Sequence, residues 1–213
     1  MEKNLNNKFL IGHSIELRVP SEEDIAHSNW HSWYNDISIT QYNSHGIYPI
    51  DKEKEYKFLK ETLNKDDTIL CSIYDLKHKN LVGNAALQNI DLINKHCNIA
   101  ITIGGDTTFT APVEVYGLLI NHAFMRLNLE RVHDGTHEKL QKLIYMLSVI
   151  GFEEEGISKN YFLRNNNWYS KINFAVLKDN FLSLKKTRDG NILFNDEKLL
   201  QRAIIEAIKT HPQ

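Results

Sequence analysis

The stretch VEVYGLLINHAFMRLNLERV, residues 113–132, predicts a long helix that leads directly into a strand. Pro112 stands just before it, at a first helical turn, where its missing N–H costs nothing. The helix carries apolar residues and one histidine at helical spacing: Val115, Leu118, Leu119, His122, Ala123 and Met125. The run LERVHD, residues 129–134, then predicts a short strand. The other predicted elements lie on either side of this unit.

Before this unit, the chain predicts one strand, two helices and three further strands. The first strand covers residues 9–20, and Ser21 then caps a helix. Asp51 caps a second helix that ends near Leu63. The three further strands are residues 68–76, 80–90 and 96–104. The turn sequences KHKN and DLINKH separate them, and such turns favour antiparallel neighbours.

After the unit, the pattern predicts a helix, two strands and a tail helix. Thr136 is the predicted N-cap of the helix, and Gly151 ends it. Residues 152–163 and 168–178 form an antiparallel pair across the turn RNNN. The tail contains the amphipathic run EKLLQRAIIEAIK. This order of elements predicts an α+β fold, in which helices cover the faces of one mixed sheet.

The bulk composition excludes several classes of protein. A formal charge of −2 on 213 residues argues against a nucleic-acid partner, since phosphate binding needs a basic face. Cys71 and Cys97 lie in apolar runs without further cysteines at ligand spacing, so we expect buried free thiols and no metal. The polar start MEKNLNNKFL does not resemble a signal peptide or a membrane span. We therefore expect a cytoplasmic protein with no membrane partner.

Five stretches together resemble the GNAT superfamily of acyl-CoA N-acyltransferases, in the branch similar to ribosomal-protein N-terminal acetyltransferases (RimJ/RimL-like). They are IELRVPSEEDI, LVGNAALQNID, NIAITIG, VEVYGLLINHAFMRLNLERV and IGFEEEG. The resemblance covers roughly residues 9–180, and HAFMRLNLERV followed by GFEEEG is its most specific part. It implies a GNAT-like domain over residues 1–185 and a C-terminal extension over residues 186–213.

The resemblance implies a mostly antiparallel sheet that splays between its fourth and fifth strands. Acetyl-CoA would lie in the opening between NIAITIG and LERVHD, and its acetyl group would pass directly to an amine without a covalent enzyme intermediate. A backbone N–H near Ile101 to Ile103 would stabilise the oxyanion, because such a donor does not depend on the side chain. The pyrophosphate would sit on backbone N–H groups at the N-terminus of the long helix.

The loop GGDTTFTAPVEV, residues 104–115, stands where such families carry a glycine-rich pyrophosphate loop. Counting back from Glu114, the family glycines fall on Thr108, Thr110 and Pro112. Pro112 lacks an N–H, and β-branched threonines disfavour the positive φ that glycine adopts easily. The threonine hydroxyls and the remaining N–H groups could still hold phosphate. The expected cofactor-binding residues are Ile101, Ile103, Thr108, Phe109, Thr110, Ala111 and Val113.

The acid and base positions of the resembled family also differ here. Its cofactor-binding Asn falls on Leu140, its thiolate-protonating Tyr or Ser on Leu143 or Leu147, and its acidic strand residue on Asn98. The remaining candidates for a base are His133, Asp134 and His45. A solvent-facing strand histidine and a turn residue beside Gly135 are the plainer interpretations of the first two.

The segment WHSWYNDISITQYNSHGIYPI would form much of the acceptor wall. Its Trp30, Trp33, Tyr42 and Tyr48 could stack on a ring. A small-molecule amine or amino sugar is the favoured acceptor, and a protein N-terminus is the other. An alternative is a GNAT-fold protein that no longer binds acetyl-CoA and serves as a binding or assembly module. The sequence leaves open whether the protein is a monomer or a homodimer.

Overall fold

The computed structural model describes residues 7–27, 29–42, 48–194 and 196–210. Within them, eight strands form a single sheet. The strands are β1 (Lys8–Ile11), β2 (Ile15–Arg18), β3 (Ile69–Asp75), β4 (Asn80–Asp91), β5 (His96–Ile103), β6 (Arg131–His137), β7 (Glu153–Arg164) and β8 (Asn167–Leu177). The helices are α1 (Glu22–His27), α2 (Trp30–Asn35), α3 (Ile37–Thr40), α4 (Lys52–Leu63), α5 (Ala111–Met125), α6 (Gln141–Ser148), α7 (Lys178–Lys186) and α8 (Glu197–Lys209). The predicted α+β class is confirmed.

The sheet has the order β1-β2-β3-β4-β5-β6-β8-β7, and its pairs are antiparallel except for β5 with β6. The parallel pair is short: it begins at His96 opposite Arg131 and ends at Asn98 opposite His133. Beyond that point β5 continues to Ile103 without a partner on that side. The two strands therefore diverge where the sequence predicted a splay.

The two faces of the sheet carry different cores. The larger core packs α5 and the C-terminal helices against one face, with Leu119, Phe124 and Phe174 among its fully buried side chains. The smaller core packs α2 and α4 against the opposite face of β3 and β4, where Trp30 and Leu59 are buried. The strands separate these two cores because successive side chains point to opposite faces.

The structure corrects the predicted boundaries at several places. Residues 9–20 form the hairpin of β1 and β2, and the helix after Ser21 is divided into α1 and α2. Thr136 does not cap a helix, because it pairs with Ile172 inside the sheet and β6 runs on to His137. A 3₁₀ turn follows, and α6 begins only at Gln141. Helix α7 was not predicted.

The tail belongs to the larger core. Leu200 and Ile204 of α8 are fully buried, and α8 packs against α6. The segment before α8 crosses α5 at Gly117, where an added Cβ would lie 3.1 Å from a methyl carbon of Leu193. The apolar face of the tail helix is therefore used within this chain.

A buried carboxylate joins the start of α5 to the turn between β1 and β2. Glu114 is 0% exposed and accepts four hydrogen bonds. Oε2 accepts from the backbone N–H groups of His13 and Ser14, both at 2.9 Å. Oε1 accepts from the hydroxyls of Ser14 at 2.6 Å and Thr110 at 3.0 Å. Gly12 lies in the same turn, between β1 and β2. A Cβ at this position would lie only 2.7 Å from Oε2 of Glu114.

We expect Glu114→Gln to destabilise the fold because hydrogen bonds to a charged acceptor are lost while their donors stay buried. The cost should be about 1.5–3 kcal/mol, which lowers the Tm of a chain of this size by roughly 3–10 °C. Differential scanning calorimetry measures it. Glu153→Gln is the matched control. The Glu153 carboxylate is exposed and, among the described residues, accepts one hydrogen bond, from Asn180, so this variant should leave the Tm within about 1 °C. Equal Tm values for the two variants would contradict this role.

Candidate active site

A cleft of about 430 Å³ opens where β5 and β6 diverge. From the α5 side of the sheet it is lined by Ile101, Ile103, Tyr116, Asp134, Leu140 and Leu143. From the opposite side it is lined by Ile39, Tyr42, Gly135, Tyr161, Phe162 and Lys171. Since side chains of successive strand residues alternate, the cleft passes through the sheet from one face to the other. Two molecules can therefore meet in it from opposite sides.

The backbone of β5 presents donors to this cleft. The N–H of Gly104 donates to the carbonyl of Val82 on β4 at 2.9 Å. Backbone groups of a strand alternate in direction, so the N–H groups of Ile101 and Ile103 point the other way, toward β6. Past Asn98, β6 no longer pairs with β5. These two predicted residues therefore turn N–H groups into the opening.

The loop before α5 uses its threonine hydroxyls internally. Thr107 donates to Asp75 at 2.7 Å, Thr108 bonds Ser14 at 2.9 Å, and Thr110 donates to Glu114. This corrects the expectation that these hydroxyls remain available to a phosphate. They hold the loop to β3 and to the β1–β2 turn.

The backbone N–H groups of the same loop divide into two sets. Those of Gly104 and Gly105 donate to Val82, and that of Ala111, a predicted cofactor donor, bonds the carbonyl of Thr108 at 3.1 Å. No acceptor within the described ranges is found for the N–H groups of Thr107, Thr108, Phe109, Thr110 and Val113. These five donors lie at the start of a 15-residue helix, where the helix dipole favours an anion.

Asp134 and Tyr116 line the cleft and have raised pKa values. Burial raises the pKa of Asp134 to about 6, although the N–H of Gly135 and the charge of Lys171 oppose the rise. Burial, followed by the charge of Asp134, raises the pKa of Tyr116 well above its ordinary value. The Tyr116 ring packs edge-on against Phe152, with ring centroids 5.5 Å apart. A carboxyl with a pKa near neutrality and a neutral phenol thus share one wall.

Tyr116 brings a hydroxyl that can donate a proton to the cleft, and the sequence analysis did not single it out. Its ring is 4% exposed and lines the cleft, and none of the described residues hydrogen-bonds its hydroxyl. The family positions predicted for this role hold Leu143, which lines the cleft, and Leu147, which is fully buried. The available signal was the single tyrosine of α5, which is not among the residues that helical spacing selected.

His133, another of the predicted bases, does not line the cleft. His133 is the neighbour of Asp134 on β6, so its side chain points to the opposite face. Its Nδ1 lies 3.3 Å from the Asn98 amide, and its ring is tilted by 54° to that of His96 with centroids 5.4 Å apart. Burial, with the charges of Arg131 and His96, lowers the pKa of His133. His45 lies outside the described residues.

The predicted acceptor residues are only partly brought together. Tyr42 lines the cleft, and its ring lies 5.2 Å from that of His137. Trp30 is buried in the smaller core, and Tyr48 is exposed away from the cleft. Trp33 lies beneath Gly104, where an added Cβ would come within 2.2 Å of the indole. The wall opposite Tyr42 comes instead from the hairpin of β7 and β8, which supplies Tyr161, Phe162 and Lys171.

The described residues were also compared with the patterns of a metal site and of a membrane-spanning helix. Across the described ranges, no group of three or more His, Cys, Asp or Glu side chains is placed to hold a metal ion. Over the same residues, none of the helices is both long enough and apolar enough to cross a membrane.

Comparison with known structures gives the same fold at low identity. The model superposes on a spermidine N-acetyltransferase from Vibrio cholerae in complex with CoA and spermine with a TM-score of 0.70 and 19% identity, covering 79% of this chain and 98% of that one. A GCN5-related N-acetyltransferase from Brucella melitensis gives a TM-score of 0.68 and 18% identity, covering 94% and 95%. A GNAT-family acetyltransferase from Bacillus anthracis gives 0.66 and 14%, covering 80% and 99%.

The sequence itself decides the family. A search of curated proteins finds no match. The family model described as an acetyltransferase (GNAT) domain matches residues 17–172. That range is well over half of the 213 residues and contains both strands of the cleft, the loop and α5. The chain is therefore a member of the GNAT acetyltransferase family.

Proposed function

We propose that this protein is an acetyl-CoA-dependent N-acetyltransferase that acts on a small-molecule amine by direct transfer. The observation that carries the proposal is the cleft between β5 and β6, where unpaired N–H groups and Asp134 meet. Membership of the acetyltransferase family supports it. So does the fold shared with a spermidine N-acetyltransferase whose structure contains CoA. An amino sugar is one such amine.

The residues present fit the pyrophosphate and the thioester of acetyl-CoA. The N–H groups of residues 107–110 and Val113 would hold the pyrophosphate at the positive end of α5. The thioester arm would then enter the splay, with its carbonyl oxygen facing the N–H groups of Ile101 and Ile103. Both donor sets are backbone groups, so the substitution of glycine by threonine in the loop leaves them in place.

The chemistry follows from the protonation states in the cleft. Above pH 6 the ionised Asp134 accepts a proton from the acceptor ammonium, and the neutral amine attacks the thioester carbonyl carbon. The N–H groups of Ile101 and Ile103 stabilise the resulting oxyanion. The C–S bond then breaks with its electron pair on sulfur, and the Tyr116 hydroxyl donates a proton to the leaving thiolate. Asp134 passes the proton that it took from the ammonium to the Tyr116 phenolate, and then takes the proton of the positively charged amide nitrogen and releases it to solvent.

Binding of CoA is tested at the loop with one exposed side chain. Phe109 is 49% exposed, so it can be replaced without disturbing the core. We expect isothermal titration calorimetry to give a micromolar Kd for CoA. Phe109→Asp should weaken binding about tenfold, because a carboxylate would stand beside the pyrophosphate. Phe109→Asn, which has the same shape without the charge, should change the Kd less than about threefold.

Equal effects of the Asp and Asn variants would mean that the pyrophosphate does not lie on this loop. The absence of heat and of a thermal shift at millimolar CoA would remove the acetyltransferase proposal altogether. The remaining reading would then be a binding or assembly module, which the inward-turned hydroxyls of Thr108 and Thr110 would favour.

The pH profile tests Asp134. With an acceptor whose amine has a pKa above 9, kcat/KM should rise through a limb near pH 6, because the base must be ionised. Asp134→Asn should lose this limb and lower kcat/KM by about 100-fold or more. His133→Asn, on the other face of the sheet, is the control and should keep the limb. Persistence of the limb in Asp134→Asn would assign it to another group.

The role of Tyr116 is tested in the same assay. Tyr116→Phe keeps the ring that packs on Phe152 and removes only the hydroxyl. We expect kcat to fall about 10- to 100-fold, with a smaller change in KM, because proton donation belongs to the transition state. Tyr145→Phe, on α6 outside the cleft, is the matched control. Equal kcat values for the two variants would exclude Tyr116 as the proton donor.

A further inference from the structure

Lys171 crosses the floor of the cleft on the side opposite α5. It lies on β8, paired with His137 on β6 and with Ser158 on β7. Its stem passes directly over Gly135, since a Cβ added to that glycine would lie 2.1 Å from the Lys171 Cε. Any other residue at position 135 would displace the lysine. The absence of a side chain at Gly135 of β6 therefore leaves room for the Lys171 stem.

The ammonium of Lys171 forms no salt bridge among the described residues, although its charge acts on Asp134 from a longer distance. No carboxylate of these residues lies within 4.0 Å of its Nζ, which stands 5.1 Å from the centre of the Tyr161 ring. The side chain is half-buried, so water compensates its charge less well than at an open surface. An unpaired, partly desolvated cation in a binding cleft is suited to an anionic ligand group.

Apart from Thr102, the rest of this side of the cleft is mostly apolar and aromatic. Ile39, Tyr42, Tyr161 and Phe162 line it together with Lys171, and among the described residues Asp134 is the only carboxylate in the lining. A polyamine needs several carboxylates for its several charges, and here it would meet one carboxylate and one cation. The lining therefore disfavours a polycation, even though the compared Vibrio cholerae structure contains spermine.

We infer that the acceptor is an amine that also carries an anionic group, a carboxylate or a phosphate, on an apolar or ring-shaped body. The amine would lie at Asp134, the anion at Lys171, and the body against Tyr42 and Tyr161. This inference rests on the proposed acetyl transfer and names the substrate class for it. An amino acid and a phosphorylated amino sugar are the two sources of such a molecule.

The experiment compares matched acceptors on the CoA-dependent enzyme. Phenylalanine with phenethylamine tests the carboxylate, and glucosamine 6-phosphate with glucosamine tests the phosphate. Spermidine is the polycation. The readouts are kcat/KM with acetyl-CoA, and the Kd of each amine for protein saturated with CoA. We expect the anionic member of one pair to be favoured at least tenfold in both readouts, and spermidine to be the poorest acceptor.

Lys171→Met removes the charge and keeps the length of the side chain. It should bring the ratio within the favoured pair to about 1, and Lys171→Glu should invert it. The ratio is the useful quantity, because any effect of the lost charge on Asp134 acts on both members equally. Lys159→Met, on β7 and outside the cleft lining, is the control and should keep the wild-type ratio. Circular dichroism and Tm establish that each variant is folded.

The two possible failures are distinguishable. Protein that does not bind CoA would refute the proposed function, and the inference with it. Protein that binds CoA but prefers spermidine, shows no preference within either pair, or keeps its preference in Lys171→Met would overturn the inference alone. Failure of all five amines to bind CoA-saturated protein would also overturn it.

Discussion

The parallel pairing of β5 and β6 ends at Asn98 and His133, and the cleft exists because it ends there. A sheet whose ladder continued would bury both backbone edges and leave no path between its faces. Here β6 pairs with β8 along its whole length, so only its hydrogen bonds to β5 are lost beyond His133. The opening places free backbone donors and the half-buried carboxyl of Asp134 within one cavity.

The second requirement is a loop that keeps its shape without glycines at positions 108, 110 and 112. The buried carboxylate of Glu114 supplies it, because its four hydrogen bonds tie the start of α5 to the β1–β2 turn. Thr108 joins the same network through Ser14, and Thr107 is tied to Asp75. Side-chain hydroxyls thus perform structural work, and backbone N–H groups remain for a ligand. The anion site depends on main-chain geometry more than on residue identity.

The sequence predicted most strands and the antiparallel pairs, because turn residues and hydrophobic periodicity are local, and the resemblance to the family implied the position of the splay. It was less successful with side chains that meet across the sheet. His133 and Asp134 are neighbours, and only the strand register determines which one enters the cleft. Lys171 lies far from β5 and β6 in the chain, and the fold alone brings its side chain to the cleft. Thr136 was misassigned because its preference for a helix cap was overridden by sheet pairing.

Amide hydrogen exchange with and without CoA follows the proposed backbone donors themselves. We expect slower exchange, at saturating CoA, in peptides that cover residues 107–113 and 101–103. Peptides from α4, on the other side of the sheet, should exchange at unchanged rates. Exchange rates of the 101–103 and 107–113 peptides that are the same with and without saturating CoA would contradict these backbone contacts. So would protection confined to surfaces away from the loop and the cleft.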